Sequence, residues 1–423
     1  MEQVLAKRHT LWHERLQASW FSRFVVGLVL VVLLPGLMMW GLAGFYAPDL
    51  SKINSLLGVA ITYMGVFFTL RRLMSYPGCQ SANYILPTVL VWYGLLVGVL
   101  FVFRLDYSVY YIFYTAVANV LFCFSSYFFI VRHIRKKVAF LPLGKANGMN
   151  EVEGVEWFRL SSPSLNGERV DAIAADLHAE IPDEWQRFLA RCTLAGVPVY
   201  HYKQLMESLT GRVKINHLAE NEFGSLQPQV LYTSFKRLVD LTISLLMLPL
   251  LLPVLFIVAA WIKKDSQGPA LFVQERMGYR GQLFKVYKFR SMYIDQEGRG
   301  FTEGEDDPRI TPVGKIIRKY RIDELPQLFN VIKGDMSFIG PRPESKNLSE
   351  WYEQDVPFFS YRHIVRPGIS GWAQVEQGYA AEIDGMKEKL EYDFYYIKHF
   401  SLWLDVLIVF KTIRTVLTGD GAR

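Results

Sequence analysis

Long uncharged stretches separated by short basic clusters dominate the first third of the chain. Four apolar runs stand out there: Phe24 to Tyr46, Ser55 to Leu70, Tyr84 to Phe103 and Val109 to Val131. Each reaches or approaches the roughly 20 residues that cross a bilayer's hydrocarbon core, the second by borrowing flanking residues. Lys7, Arg8, Arg15 and Arg23 precede the first run. Arg71 and Arg72 follow the second, and Arg132, Arg135, Lys136 and Lys137 follow the fourth. The opposite loops hold Asp49 and Lys52, then Arg104 and Asp106. All basic clusters therefore share one face, which the positive-inside bias assigns to the cytoplasm together with the N-terminus. Residues 1–137 are expected to form a four-helix transmembrane region. Transport pathways show as ionisable residues within spans, and these runs carry essentially none. The expected role is an anchor or dimerisation bundle, compatible with a homodimer.

From Val138 to about Gln229 the pattern becomes that of a water-exposed fold. Val138 to Leu143, Val155 to Leu160, Val170 to Ala174 and Val197 to Tyr202 read as strands. Pro182 to Leu194 reads as a helix, with Asp183 and Glu184 in its first turn and Gly196 closing it. Strand–helix alternation predicts a small cytoplasmic α/β module with a parallel sheet over residues 138–230. A working dinucleotide site would carry G-x-G-x-x-G after the first strand. That place reads Leu143-Gly144-Lys145-Ala146-Asn147-Gly148, so the module is expected to be Rossmann-like but degenerate, with a regulatory or structural role.

A fifth apolar run, Leu238 to Ile262, lies between Phe235-Lys236-Arg237 and Lys263-Lys264, with Asp240 near its entrance. Length alone makes it a membrane span. Basic residues at both ends, however, favour keeping both on the cytoplasmic face. Pro249 and Pro253 each remove an amide donor and clash with the carbonyl four residues back, kinking the helix. The reading favoured is a re-entrant helix over 236–264 that enters one leaflet and returns. A kinked fifth span is the alternative, and it would carry the rest of the chain to the other side.

Composition agrees with a membrane protein: 51% of the 423 residues are hydrophobic and 20% charged, with the apolar excess gathered in these runs. The net charge of +6 then points to membrane lipids and phosphate-bearing substrates, not to nucleic acid. Cys79, Cys123 and Cys192 are too scattered for a metal cluster, and their odd number argues against a disulfide framework. No signal peptide is evident, because the first apolar run is too long for a cleaved leader. The histidines form no H-x-x-x-H pattern and neighbour no convincing Ser or Cys nucleophile.

Candidate chemistry gathers beyond the fifth run in five clusters: Val286 to Met292, Asp307 to Gly314, Arg321 to Asn330, Lys333 to Glu344 and Val365 to Trp372. The third contains Asp323-Glu324-Leu325-Pro326-Gln327, and the fourth contains Gly340-Pro341-Arg342-Pro343. In order and spacing, over about Tyr232 to Leu417, these clusters resemble the bacterial sugar transferase family, the monotopic phosphoglycosyl transferases. The preceding spans and α/β module are similar to the family's large membrane-anchored branch. The resemblance implies a mostly α-helical monotopic catalytic domain over 231–423, with Pro253 as the proline that breaks the membrane hairpin. Leu252 stands where many relatives carry Ser. The resemblance also implies that Asp323 is the nucleophile and Glu324 its partner in holding Mg²⁺. The implied reaction moves a sugar 1-phosphate from a UDP-sugar to undecaprenyl phosphate through an aspartyl-phosphosugar intermediate, releasing UMP. Such a step initiates exopolysaccharide, capsule or O-antigen synthesis on the cytoplasmic face of the bacterial inner membrane.

Elementary chemistry is consistent with those roles. A carboxylate is a weak nucleophile, yet it can attack phosphorus when cations screen the phosphate oxygens. Mg²⁺ prefers one or two carboxylates plus phosphate oxygens and water. Neighbouring helical residues diverge by about 100°, so the two carboxylates would serve different atoms. Pro326 suits a first helical turn, whose positive end would help keep Asp323 ionised; a kinked continuous helix fits equally. Lys288, Arg290, Arg342 and Arg366 are the candidates for gripping substrate phosphates, with ion pairing or solvation as the alternative for each. Arg342, held between two prolines, leads them. Asp307 and Asp335 are expected to cap turns. Leu390 to Phe410, with Tyr392, Phe394, Tyr395, Tyr396, Trp403 and Phe410 among lysines, reads as an interfacial helix, although core packing accounts for about half its aromatics. Ala373 to Tyr379 departs from the Val-Asn-Gly form of many relatives and leaves the sugar open. The rival functions are a lipid-linked glycosyltransferase that releases UDP and a non-catalytic polysaccharide assembly or transport protein.

Overall fold

The computed structural model describes residues 19–46, 48–77, 82–133, 136–148, 152, 154–214, 230–294, 307–377 and 383–418. Lys7, Arg8, Arg15, Cys79, Arg135, Gly378 and Tyr379 lie outside the described residues. The chain divides into two compact units, Met1–Gly211 and Arg212–Arg423.

The first unit opens with four apolar helices, each long enough to cross a membrane: α1 (Trp20–Tyr46), α2 (Leu50–Leu73), α3 (Ile85–Val102) and α4 (Val109–His133). Within α1 the stretch Leu28–Leu33 is π-helical. The Tyr111 hydroxyl donates to the Val32 carbonyl at 2.8 Å, and Tyr63 donates to the Phe24 carbonyl at 2.9 Å. Trp92 Nε1 donates to Thr69 Oγ1 at 3.1 Å. Polar groups that would otherwise be stranded in an apolar bundle are thus paired across helices.

The α/β module follows, with strands β1 (Lys136–Phe140), β2 (Val155–Arg159), β3 (Ala172–Ala175) and β4 (Val199–His201). They form one four-stranded sheet in the order β2-β1-β3-β4, and every pairing is parallel. Alternate strand residues face opposite ways. Ala139, Ile173 and Ala175 pack with Phe188, Leu189 and Cys192 of α5 (Asp183–Leu194), whereas Val138 and Ala174 pack with Leu205 of α6 (Tyr202–Thr210). Helices therefore cover both faces, as a fully parallel sheet requires. Cys123 and Cys192 are both free thiols and buried.

The second unit is led by α7 (Val230–Asp265), which stays helical through Pro249 and Pro253. Its two ends are held differently. At the start, Tyr232 and Lys236 both donate to Asp405, which also accepts from Tyr396. Arg237 donates to the Val331 and Ile332 carbonyls, and Asp240 accepts the Phe338 amide. At the far end, Leu255, Val258 and Ile262 pack with Ala270, Phe289, Val313 and Ile317. Arg290 donates to the Ser266 and Gln267 carbonyls at 2.7 and 2.6 Å, holding the chain as it leaves the helix. Both ends thus dock on the same unit, while Leu245, Leu246, Leu250, Phe256 and Ile257 between them are exposed.

A hairpin follows, β5 (Leu271–Met277) antiparallel to β6 (Leu283–Phe289). After α8 (Pro312–Lys319) and α9 (Leu328–Lys333), strand β7 (Ser337–Ile339) pairs in parallel with β8 (Gly368–Ser370). The stretch Leu390 to Phe410, expected as an interfacial helix with about half its aromatics in the core, is divided between two helices. It is the end of α10 (Ile383–Lys398) and the start of α11 (Leu402–Thr418), and Tyr392, Phe394, Tyr395 and Tyr396 are buried in the core. Lys389 pairs with Glu344, and Lys411 with Glu376. Trp403 and Phe410 are only partly buried.

Docking of both ends of α7 on one unit generates a topological prediction. Single cysteines at Phe235 and Lys264 should both react with an impermeant thiol reagent applied from one side of the membrane. Reaction from opposite sides would show that α7 crosses.

Candidate active site

Construction of the site begins with the hairpin. Strand β6 presents Lys288, and its backbone is stapled to α9 by Asn330, which is 0% exposed. The Asn330 side chain accepts the Tyr287 amide at 3.1 Å and donates to the Lys285 carbonyl at 2.7 Å. One amide thus substitutes for a neighbouring strand, satisfying both backbone groups it meets. Asn330 also donates to Asp335, which orders the turn after α9. Asp307 similarly holds the amide and guanidinium of Arg309, so both aspartates act on turns.

Thr311 caps α8, accepting the Gly314 amide at 2.9 Å, with Pro312 in the first turn. A Cβ at Gly314 would overlap the Ser291 carbonyl oxygen, so glycine is what lets α8 lie against the segment leaving β6. After α8 the chain turns sharply at Arg321, whose φ of +53° lies in the left-handed region. It then enters a 3₁₀ turn, Ile322–Gln327, that carries Asp323 and Glu324 and contains Pro326. Helix α9 starts only at Leu328 and has six residues. Of the two alternatives, the helix therefore begins after the acidic pair.

Two cations converge on Glu324. Arg342 Nη2 lies 2.7 Å and Lys288 Nζ 3.3 Å from its Oε1, and the residue is only 7% exposed. Burial alone would raise the Glu324 pKa, but Arg342, Lys288 and Arg321 overcome it and hold the carboxyl well below the usual range. Asp323 is partly exposed and behaves oppositely. Its low-dielectric surroundings and the neighbouring Glu324 charge push it up to about 6, against weaker opposition from Lys288, Arg342 and Arg318. Burial brings Lys288 down to about 8, partly offset by Glu324. Adjacent carboxylates therefore carry unequal proton affinities, the pattern by which sites divide labour between two acids.

Arg342 is fixed from behind. Its carbonyl accepts from Arg362 at 2.9 Å, and the Pro343 carbonyl accepts from Arg276 of β5. Arg362 in turn pairs with Asp393 at 2.7 Å and Glu344 at 3.5 Å. Sequence reading missed Arg276, Arg362 and Asn330; each is an ordinary polar residue until the fold aims it at a backbone carbonyl or amide.

Of the six chemistry-bearing residues singled out from sequence, the structure brings Asp323, Glu324, Lys288 and Arg342 together. Arg290 faces the end of α7 instead. Arg366 donates to the Gly334 carbonyl at 3.0 Å and stacks on Tyr279 at 5.1 Å. It lines a small pocket, with room for about a single water, together with Lys236, Arg237, Asp240 and Phe400. Pro253 lies within α7.

Comparison with known proteins adds an independent line. Residues 231–419 match the family described as bacterial sugar transferase. The chain is 49% identical over 419 residues to a UDP-N-acetylgalactosamine-undecaprenyl-phosphate N-acetylgalactosaminephosphotransferase of Aeromonas hydrophila, covering 99% of both chains. It is 41% identical over 181 residues to a UDP-glucose:undecaprenyl-phosphate glucose-1-phosphate transferase of Escherichia coli, covering 42% of this chain and 39% of that one. An undecaprenyl-phosphate galactose phosphotransferase of Salmonella typhimurium is 37% identical over 203 residues, covering 44% of this chain and 41% of its own.

If Arg342 is the main counter-charge of Glu324, its loss should raise the Glu324 titration. In an Asp323→Asn background, Arg342→Leu should show a protonated-carboxyl infrared band at about pH 5 that the parent lacks. Identical titrations in the two proteins would remove Arg342 from this role.

Proposed function

The chain belongs to the bacterial sugar transferase family, and from that premise we propose its substrates and chemistry. It is an undecaprenyl-phosphate sugar phosphotransferase. The donor is UDP-N-acetylgalactosamine and the acceptor undecaprenyl phosphate. Likeness to the Aeromonas enzyme along the whole chain supports this donor over glucose or galactose, whose enzymes match only about two-fifths of this chain. The reaction takes place on the cytoplasmic face of the inner membrane, where nucleotide sugars are found, and initiates a surface polysaccharide.

The unequal acidic pair carries the chemistry. The Asp323 carboxylate attacks the sugar-linked phosphorus; the new oxygen–phosphorus bond forms as the bridging bond breaks, and UMP leaves with the bridging oxygen. A terminal oxygen of undecaprenyl phosphate then attacks the acyl phosphate, and Asp323 departs as a carboxylate. Glu324 stays ionised throughout because Arg342 and Lys288 neutralise it. Their remaining donor capacity faces the phosphate oxygens. A partly exposed carboxylate beside a buried ionised one suits Mg²⁺, which Asp323 and Glu324 would hold and which would screen the diphosphate charge.

Helix α7 acts as a re-entrant element that keeps this site at headgroup depth. The docking of both its ends on one unit supports the reading, together with the basic residues that flank both ends of its apolar run. The three-layer parallel module is Rossmann-like without a phosphate-binding turn, and the four-helix region anchors the chain and is compatible with a dimer.

With a panel of UDP-sugars, Mg²⁺ and undecaprenyl phosphate, purified protein should release UMP fastest from UDP-N-acetylgalactosamine. Asp323→Asn should release none and retain no label from sugar-phosphate-labelled donor, while still inserting into membranes. Release of UDP would favour a glycosyltransferase, and full activity of Asp323→Asn would end the covalent scheme.

Because Asp323 must be ionised to attack, kcat/KM at limiting Mg²⁺ should rise with pH up to about 6, then hold until Lys288 begins to lose its proton near 8. Saturating Mg²⁺ favours the charged form, so it should shift this limb to lower pH. A limb that ignores Mg²⁺ would place the titrating group elsewhere.

A further inference from the structure

A second cluster of ligating groups lies in the α/β module, in a part of the chain that the proposed reaction does not use. Strand β3 ends at Ala175 and its parallel neighbour β4 ends at His201. Asp176 and His178 follow β3 directly, so two adjacent strand ends deliver one carboxylate and two imidazoles to the C-terminal edge of the sheet. That edge is where open parallel sheets bind ligands. One ligating atom from each of the three residues lies within 4.8 Å of the other two. The rings of His178 and His201 stand at 86° to one another with centroids 4.7 Å apart.

The surroundings are built around the carboxylate. Asp176 is 6% and His201 7% exposed, while His178 is exposed. Asp176 Oδ2 accepts the Lys145 amide at 2.9 Å and Oδ1 the His178 amide at 3.2 Å. A Cβ on Gly144, whose φ is +58°, would come within 2.6 Å of Oδ2, so the loop after β1 closes over the carboxylate as only glycine allows. His201 Nδ1 lies 3.9 Å from Oδ1.

His201 Nδ1 lies 3.2 Å from the Leu177 amide, the arrangement of a tautomer whose lone pair is on Nδ1. In the other tautomer the same nitrogen would donate to the Ala175 carbonyl, 3.3 Å away. That second form leaves the lone pair on Nε2 and is the one that can ligate, because in the first the Nδ1 lone pair is already taken by the Leu177 amide.

We infer that Asp176, His178 and His201 hold one divalent ion of the zinc class, as an accessory site that ties the ends of β3 and β4 to the loop after β1. Two imidazoles and a carboxylate suit Zn²⁺ and leave a coordination position open. Mg²⁺ prefers all-oxygen sets, so this cluster and the acidic pair of the catalytic unit would select different ions.

The test uses full-length untagged protein in detergent, stripped with chelator and then titrated with Co²⁺ alone. Wild type should develop ligand-field absorption saturating at one Co²⁺ per chain, displaced by Zn²⁺ and not by excess Mg²⁺. His178→Ala alters an exposed side chain and should fold normally, yet bind Co²⁺ on the order of 100-fold more weakly, beyond what loss of an outer-shell partner costs. Asp176→Asn, which preserves shape, should do the same. No Co²⁺ uptake by wild type, or equal uptake by His178→Ala, would overturn the inference. UMP release with Mg²⁺ does not enter the readout, so the outcome is independent of the proposed reaction.

Discussion

Arg342 and Lys288 meet on one oxygen of Glu324, at 2.7 and 3.3 Å, and the character of the site follows from that meeting. A buried carboxylate survives as an anion only when nearby charge and hydrogen bonds replace water. Once Glu324 is fixed as the anion, its charge raises the proton affinity of Asp323 next to it. The partner that remains partly exposed is then the one whose charge state can change. Most of the surrounding framework keeps those two cations in place. Asn330 locks β6 to α9 and so sets Lys288. Arg276 and Arg362 hold the Pro343 and Arg342 carbonyls and so set Arg342.

The same framework ties chemistry to the membrane. Arg290 and Arg237 looked from sequence like free positive charge near a phosphate site or a headgroup layer. Their donors instead go to backbone carbonyls, Arg290 at the end of α7 and Arg237 at the end of α9. Helix ends leave carbonyls without partners, and a guanidinium with planar, divergent donors satisfies two at once. Asp405 does the converse at the start of α7, gathering Tyr232, Lys236 and Tyr396. These contacts orient the apolar helix against the domain that bears the acidic pair.

Some of this architecture was legible in the sequence because its cause is local. The four apolar runs, the basic clusters beside them, the parallel α/β module and the compact acidic and Gly-Pro-Arg-Pro clusters all depend on residues close together in the chain. The aromatic stretch after Leu390 was not legible in the same way. Tyr392, Phe394, Tyr395 and Tyr396 have a composition that suits either a lipid interface or a core, and only the neighbours supplied by the fold decide between them.

Length, hydrophobic patterning and charge placement by themselves determined that this chain is a membrane protein with an acidic pair set among basic residues, because each is a property of consecutive residues. Tertiary structure alone decided which cations reach Glu324, that Arg290 turns to backbone carbonyls after α7, and that Asp176, His178 and His201 share one strand edge. Arg342 lies 18 residues from Glu324 and Lys288 lies 36 away. Hydrogen bonds and close ion pairs form only between groups a few ångströms apart. Separations of that kind along the chain therefore say nothing about them until the backbone is folded.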